Sequence, residues 1–555
     1  MNIGLVAERP TLESISYFFE GLDQSLAKRH KVTHRPPEFF HSSPRRQEEL
    51  NEEFVSNSEI LVGILNEDVL RARERLDHQP PLVALLLGEM SRAGGGELPR
   101  AYPYLKSTDF LVGNCSGDVG IAKNFFKNGQ VRTLPFSFDE AHFHPLEESQ
   151  RQELKASLGF QKTDRILLYA GRVTLEKNVH TQLRIFSVLQ RLIPNLHLVI
   201  IGDLENVPFP EFGVYTMDIA GMTTRLLCEL GLDIDRVHFL GHQNPTQTRN
   251  FYFIADVLVN LTLHHDENFG LAQVEAMACG TPVVGTKWGG LKDSIKHGET
   301  GYHVSTVVTN AGIKPNWWEA INRIVQLLED ESTLLRFREK CPVHVREHFS
   351  KRCCDEILES ILVECKRASK NRSERLALSE FGAEFWQRCQ YLSMSPPPYQ
   401  RSRRSLELYK ELIAPFTGVT ETILPPADNW EPDQFLVLAT PVQTKERNLE
   451  INDPIYPMEV TVPGNYQKDC QAILEVLSRE PVVQLKQLKR SVGGSLNTSL
   501  DASLNWMLNA GILLRTRPMN PSIDPKLIGD QMGQPLFRIQ GVDYRTDAFV
   551  VRQMW

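Results

Sequence analysis

Asp266–Gly290 reads DENFGLAQVEAMACGTPVVGTKWGG, and the whole chain can be organised around it. Two carboxylates, Glu267 and Glu275, lie eight residues apart across a loop that turns into a helix. Phe269-Gly270-Leu271 is the expected helix entrance, where unsatisfied backbone N–H groups favour an anion. Gln273–Ala278 continues with good helix formers, and Gly280-Thr281-Pro282 is a Gly-then-Pro stop. Val283-Val284-Gly285 then reads as a short buried strand, and Gly289-Gly290 as a tight turn into another helix. The stretch offers a phosphate seat at a helix N-terminus, with one acid before it and one inside the helix. That pattern suits a nucleotide-linked sugar.

Outward from this stretch, strand and helix alternate in both directions. Upstream, strands are expected at Ile166–Ala170, Leu196–Ile201, Arg236–Gly241 and Asp256–Leu263, with helices between them, and Thr300–Val304 is the expected last strand. Nearer the start, Ile3–Val6, Lys31–Thr33, Ile60–Ile64, Pro81–Leu87, Phe110–Gly113 and Val131–Pro135 repeat the rhythm. Pro81–Leu87 is a near-continuous apolar run, as strands covered on both faces should be. The fold class is therefore α/β, with two Rossmann-like domains facing across a cleft. Expected bounds are 1–145 for the N-terminal domain and 146–350 for the second. Residues 351–395 read as connecting helices, with Lys351–Lys370 leaving the second domain, and 396–465 as a Pro-rich linker or irregular region. The last stretch, 466–555, has three helices (469–478, 483–491, 499–510) and then short strands at Leu513–Arg515 and Leu536–Ile539. That is the order of a small α+β, winged-helix-like domain.

Composition narrows the class. At 555 residues the chain exceeds one core, and 41% hydrophobic with 23% charged residues is ordinary for a globular protein. A formal charge of −8 makes no global case for nucleic acid or an anionic membrane. The nine cysteines show no CxxC spacing, so unpaired thiols and a cytoplasmic setting are expected. The apolar runs are strand-sized, and no membrane span or signal peptide is indicated.

Gly171-Arg172-Val173-Thr174-Leu175-Glu176-Lys177-Asn178 follows the strand Ile166–Ala170. An Arg and a Lys five residues apart, on a loop between strand end and helix start, can neutralise a diphosphate leaving group. Read alone, they are two solvated cations on a surface loop. Together with DENFGLAQVEAMACGTPVVG, GGLKDSIKHGETGYHV and the bridge Ser137-Phe138-Asp139 with Phe143 and Pro145, this set resembles the retaining, GT-B-fold glycosyltransferases of family four. The resemblance covers residues 1–370 and is strongest over 165–305. It implies a hexosyltransferase-like enzyme whose nucleotide-sugar donor meets Gly171, Arg172, Lys177 and Asn178 on one side. Arg172 and Lys177 would hold the diphosphate and, with Glu267, form the catalytic group. Glu267 would face the sugar hydroxyls and Glu275 the ribose, since carboxylates accept from vicinal diols. Backbone amides around Phe269, Gly270 and Leu271 would meet the diphosphate. No cofactor is implied, and metal-independent transfer is expected.

Departures from the family fall in the acceptor half. Ala7-Glu8-Arg9-Pro10 replaces a glycine-rich turn after the first strand, and Gly88-Glu89 stands where many relatives carry a His-Asp pair. The acceptor is left open, and a non-catalytic nucleotide-sugar sensor or scaffold acting through the C-terminal domain is the alternative. Asp233-Ile234-Asp235 matches a metal–diphosphate D-x-D signature in the wrong context and reads as a solvated loop. His264 and His265 read as strand-end polar residues or as part of the donor pocket wall. Between Tyr466 and Arg517 there are seven basic and four acidic residues, but Ser499–Ala510 has no Lys or Arg. A groove-reading helix would need them, so a protein partner or dimerisation is expected there rather than nucleic acid.

Overall fold

The structure is a computed structural model, and it describes residues 1–7, 13–88, 97–206, 218–263, 267–310, 312–389, 403–417, 430, 434–445, 447–451, 458–492, 499–516 and 523. The first sheet contains β1 (Asn2–Val6), β2 (Lys31–Thr33), β3 (Ile60–Gly63), β4 (Leu82–Leu85), β5 (Phe110–Gly113) and β6 (Gln130–Thr133). Its order is β2-β1-β3-β4-β5-β6, parallel throughout. The second sheet contains β7 (Arg165–Ala170), β8 (Leu196–Ile201), β9 (Val237–Phe239), β10 (Val257–Asn260), β11 (Val283–Thr286) and β12 (Gly301–Val304). Its order is β12-β11-β10-β7-β8-β9, again parallel. Every residue of β3, β4, β5, β10 and β11 is buried, which explains their unbroken apolar runs. Two doubly wound α/β units of this kind fit the GT-B fold.

The order of the second sheet fixes where a ligand belongs. The sequential order of the strands reverses between β7 and β10, so the loops after these two parallel strands part and leave a crevice at their carboxyl ends. The loop after β7 begins at Gly171 and the one after β10 leads to Glu267. These are the two loops singled out above.

The two units are joined by an aromatic chain. Phe18 of the helix Glu13–Ala27 stacks on Phe136 with ring centroids 4.3 Å apart. Phe136 meets Phe269 at 5.3 Å, and Phe269 meets Phe349 at 5.4 Å. Such ring contacts add about 0.5–1.5 kcal/mol each beyond burial. Smaller polar contacts accompany them. Asn268 donates to Asn114 at 3.4 Å, and Asp293 accepts from the Ser116 amide and hydroxyl at 2.5 and 2.7 Å.

Three expectations need correction. The helix Lys351–Ala368 does not simply leave the second domain; it returns to the first. Lys351 donates to the Gly21 carbonyl at 3.1 Å, and Arg132–Glu364 and Lys366–Glu59 pair at 2.7 and 2.9 Å. Gly301–Val304 is not the last strand, because β13 (Thr306–Thr309) and β14 (Gly312–Pro315) form an antiparallel hairpin after it. The stretch 396–465 is not irregular throughout. Among its described residues are the helix Arg403–Thr417 and the strands β15 (Phe435–Leu438), β16 (Val442–Lys445), β17 (Asn448–Ile451) and β18 (Met458–Thr461). Prolines around four-residue strands disguise them in the sequence.

The end of the described chain holds the helices Gln467–Arg479, Leu485–Val492 and Ser499–Asn509, with β19 (Val482–Gln484) and β20 (Leu513–Thr516). Both strands pair antiparallel with β15. This unit is docked on the second Rossmann unit: Trp317 Nε1 donates to the Leu438 carbonyl at 2.9 Å and the Asn310 amide to the Asn509 carbonyl at 2.8 Å. The expected strand Leu536–Ile539 lies outside the described residues, as do Glu8–Pro10, Glu89 and His264–Asp266.

Candidate active site

Lys177 and Glu267 are 90 residues apart in sequence, yet Lys177 Nζ donates to Glu267 Oε2 at 2.5 Å. Both side chains are largely shielded, 20% and 9% exposed, so the pair is less screened than a surface ion pair. A left-handed turn places the lysine. Asn178 has φ 59°, is buried, and donates from Nδ2 to the Leu261 carbonyl at 3.0 Å. Asparagine is among the few residues that tolerate this conformation. The bend starts the helix Val179–Leu192 while turning Lys177 toward the crevice.

The helix Leu271–Ala278 begins at Gly270, φ 82°, with no side chain capping it. The positive φ favours glycine at this entrance, and a Cβ there would also displace the Gln273 side chain, whose Nε2 it would approach to 1.6 Å. At such a helix start the dipole and the N–H groups favour negative charge. Phe269 contributes backbone here, because its ring is buried in the aromatic chain between the domains. Leu271 is half-buried just behind it.

Glu275 stands one turn inside that helix. Tyr252 of the helix Pro245–Ile254 donates its hydroxyl to Glu275 Oε2 at 3.1 Å. Burial is the main cause of a carboxyl pKa pushed up to about 7; the Tyr252 hydrogen bond acts against it and the charge of Asp139 with it. Tyr17, from the first domain, is raised to about 12 by burial and then by Asp139 and Glu275. Tyr17, Asp139 and Tyr252 are therefore neighbours of the site that motif reading missed. Asp139 stood in the bridge motif but was read as a linker residue, and the tyrosines carry no local signal.

Arg172 is placed differently from Lys177. It pairs with Glu205 at 3.4 Å, and its carbonyl accepts from the Tyr169 hydroxyl at 2.7 Å. Burial raises the Tyr169 hydroxyl well above its usual range, with Glu176 and Glu267 adding to the shift and Arg172 opposing it. The arginine thus lies on the same side of the crevice but is engaged by the β8 loop rather than by Glu267. Asp233 caps the short turn Ile234–Arg236 and pairs with Arg236 at 2.8 Å. Among the described residues no group of three or more His, Cys, Asp or Glu side chains is arranged to hold a metal. No helix among them is long and apolar enough to cross a membrane.

Comparison with known proteins points to the same region. Residues 150–342 match the family described as "Glycosyl transferases group 1". Over 181 residues the chain is 31% identical to a lipopolysaccharide 1,2-N-acetylglucosaminetransferase of Salmonella typhimurium, covering 33% of this chain and 44% of that protein. Over 244 residues it is 28% identical to an N-acetyl-alpha-D-glucosaminyl L-malate synthase of Bacillus anthracis, covering 44% and 56%. The chain spans about half the length of these curated relatives. A solved sucrose-phosphate synthase from Thermosynechococcus elongatus aligns with TM-score 0.49 and 18% identity over 66% of this chain and 99% of that one.

Proposed function

We propose that this chain is a glycosyltransferase that moves a sugar from a nucleoside diphosphate to an acceptor hydroxyl with retention of configuration. One observation carries the reading. The loops after β7 and β10 meet at the switch point of the second sheet and bring Lys177 onto Glu267 beside an uncapped helix N-terminus. That region is the one similar to group 1 glycosyl transferases. In the reaction the bond between the anomeric carbon and the diphosphate oxygen breaks, and its electron pair goes to the diphosphate. Lys177, Arg172 and the amides of Phe269–Leu271 offset the charge that develops there, the role of a preorganised oxyanion site. The acceptor oxygen then bonds to the anomeric carbon on the same face, and its proton passes to the departing phosphate oxygen. Glu267 accepts from sugar hydroxyls and Glu275 from the ribose diol. The two cationic side chains and the helix end take the role a metal has elsewhere, so transfer is expected without one.

The relatives' names pair N-acetylglucosamine with unlike acceptors, a lipopolysaccharide and L-malate. Only the donor class is therefore carried to this chain. We read the C-terminal unit as winged-helix-like, because its helices Gln467–Arg479, Leu485–Val492 and Ser499–Asn509 are followed by the strand β20. Its helix Ser499–Asn509 has no cation and no fully exposed side chain among those described, which suits a protein contact rather than a nucleic acid groove. A cytoplasmic setting is assigned on composition and on the unpaired cysteines.

The test is transfer from a panel of labelled nucleotide sugars to cell extract, with and without chelator. Labelled product lost in Lys177→Ala and reduced in Glu275→Ala is the expected result. Nucleotide binding with no product on any acceptor would overturn the transfer, and activity unchanged in both variants would overturn the site.

A further inference from the structure

The helix Arg403–Thr417 lies outside residues 150–342, the stretch similar to group 1 glycosyl transferases, yet its end touches both Rossmann units and the turn that holds the Glu267 backbone. On the first unit, the helix Ser116–Phe125 presents Gly117 and Gly120 one turn apart. A Cβ on Gly117 would come within 2.9 Å of the Phe416 ring, and one on Gly120 within 2.5 Å of Pro415. The two helices are in contact because those positions carry no side chain. On the second unit, Phe416 packs against the fully buried Trp288 with centroids 5.5 Å apart. The Phe416 carbonyl accepts from the Gly289 amide at 2.9 Å, and the next amide, Gly290, donates to the Glu267 carbonyl at 2.8 Å. Gly289 has φ 50°, and a Cβ there would lie 2.0 Å from that same Glu267 oxygen. The 288–290 turn is thus held between Phe416 and the backbone of Glu267.

We propose that Phe416 is a positioning residue for the donor site, supplied by the C-terminal extension. It clamps the turn Trp288–Gly290, and through that turn sets the backbone of Glu267 while tying it to Ser116–Phe125 of the opposing unit. This rests on the reading of Glu267 as a donor-facing acid. The buried face of the helix, Leu408, Leu412, Ile413 and Phe416, anchors the clamp, and Lys410 adds a hydrogen bond to Asn310 beside β13. The arrangement couples the docked C-terminal unit to the site by a chain of packed contacts with no contribution to the chemistry itself.

The experiment uses the full chain with Phe416→Ala, Phe416→Leu and Gly120→Val. Gly120 lies away from the donor site, so Gly120→Val displaces Pro415 without touching it. Two quantities are read: amide hydrogen exchange at residues 288–290, and UDP affinity by calorimetry alongside the melting temperature. The expected result is faster exchange at 288–290 and UDP binding weakened about three- to tenfold in Phe416→Ala and Gly120→Val, with recovery in Phe416→Leu. Unchanged exchange, or faster exchange with unchanged UDP affinity, overturns the clamp as a positioning device. Should Phe416→Ala not fold, Phe416→Leu and Gly120→Val give the same comparison. UDP, GDP and ADP are tried in turn as the probe; wild-type protein that binds none of them would count against the donor reading instead, and the exchange comparison would still decide whether the clamp exists.

Discussion

Lys177 and Glu267 neutralise each other in the free protein, so a donor must be recognised by both at once. Charge-assisted hydrogen bonds contribute about 1.5–3 kcal/mol, so Lys177→Ala is expected to weaken nucleotide-sugar binding about ten- to a hundredfold. Glu267→Ala should cost less for UDP than for UDP-sugar, because the acid is assigned to the sugar and not to the diphosphate. Calorimetry with both ligands separates the two. Glu275 carries a pH signature. Its folded pKa of about 7 stands above its usual 4.5, so between these values the folded state holds a proton that the unfolded chain has released. Stability from this group is therefore lost as pH rises from 4.5 through 7. Asp118, fully buried in Ser116–Phe125, is raised to about 7 chiefly by burial and acts with the same sign. The melting temperature should fall between pH 5 and pH 8, and Glu275→Gln and Asp118→Asn should each flatten that fall. If Glu275 binds the ribose as a carboxylate, UDP binding near pH 7 releases a proton. Calorimetry in buffers of different ionisation enthalpy detects that release.

At the scale of single elements, the helix Leu271–Ala278 was legible in the sequence because each of its signals is local. A glycine entrance, good helix formers and a Gly-then-Pro stop all lie within fifteen residues of one another. The loop pair after β7 and β10 was legible for another reason, since motif spacing stands in for the strand order that brings the loops together. What stayed hidden depends on partners remote in sequence. Tyr17 of the first domain feels the charge of Glu275, Phe416 reaches Gly289 from the extension, and neither carries a mark of this in the sequence. The helix Arg403–Thr417 was hidden further by Pro415 and the Pro-rich stretch before it. Departures at Glu8–Pro10 and Glu89 lie outside the described residues. The Gly270 entrance yields a direct test. Gly270→Ala combines a positive φ with a steric conflict at Gln273, and such strain costs on the order of 1–3 kcal/mol. Alanine is a better helix former elsewhere, so a drop in melting temperature together with weaker UDP binding would identify the entrance conformation itself as the requirement.

Taken as a whole, the molecule does not divide where its sequence changes character. One buried apolar network runs from Leu111 and Phe125 of the first unit through Trp288, Trp317 and Ile321 of the second. It continues into Phe385, Leu412, Phe416, Val437 and Leu514 of the extension. The composition past residue 390 suggested a module on a tether. The C-terminal unit keeps an apolar core of its own around Leu436, Ile473, Leu488 and Leu504, but Val437, Val482 and Leu514 also join the network shared with the Rossmann units. A tethered module would unfold on its own and leave the two Rossmann units unaffected. A shared core predicts that full-length protein loses near-UV signal from the buried tryptophans and far-UV helicity in one coincident transition. Ending the chain at residue 370 should then uncover Trp317, Gly117 and Trp288, which Leu438 and Phe416 cover. Burying a large apolar side chain is worth about 1.5–3 kcal/mol, and at least five such side chains of the extension lie in the network. The shortened chain should therefore melt well below the full-length protein and bind a hydrophobic dye in buffer, and ligand should recover only part of the loss. A truncated protein with unchanged melting temperature and no dye binding would show that the extension is a separate module after all.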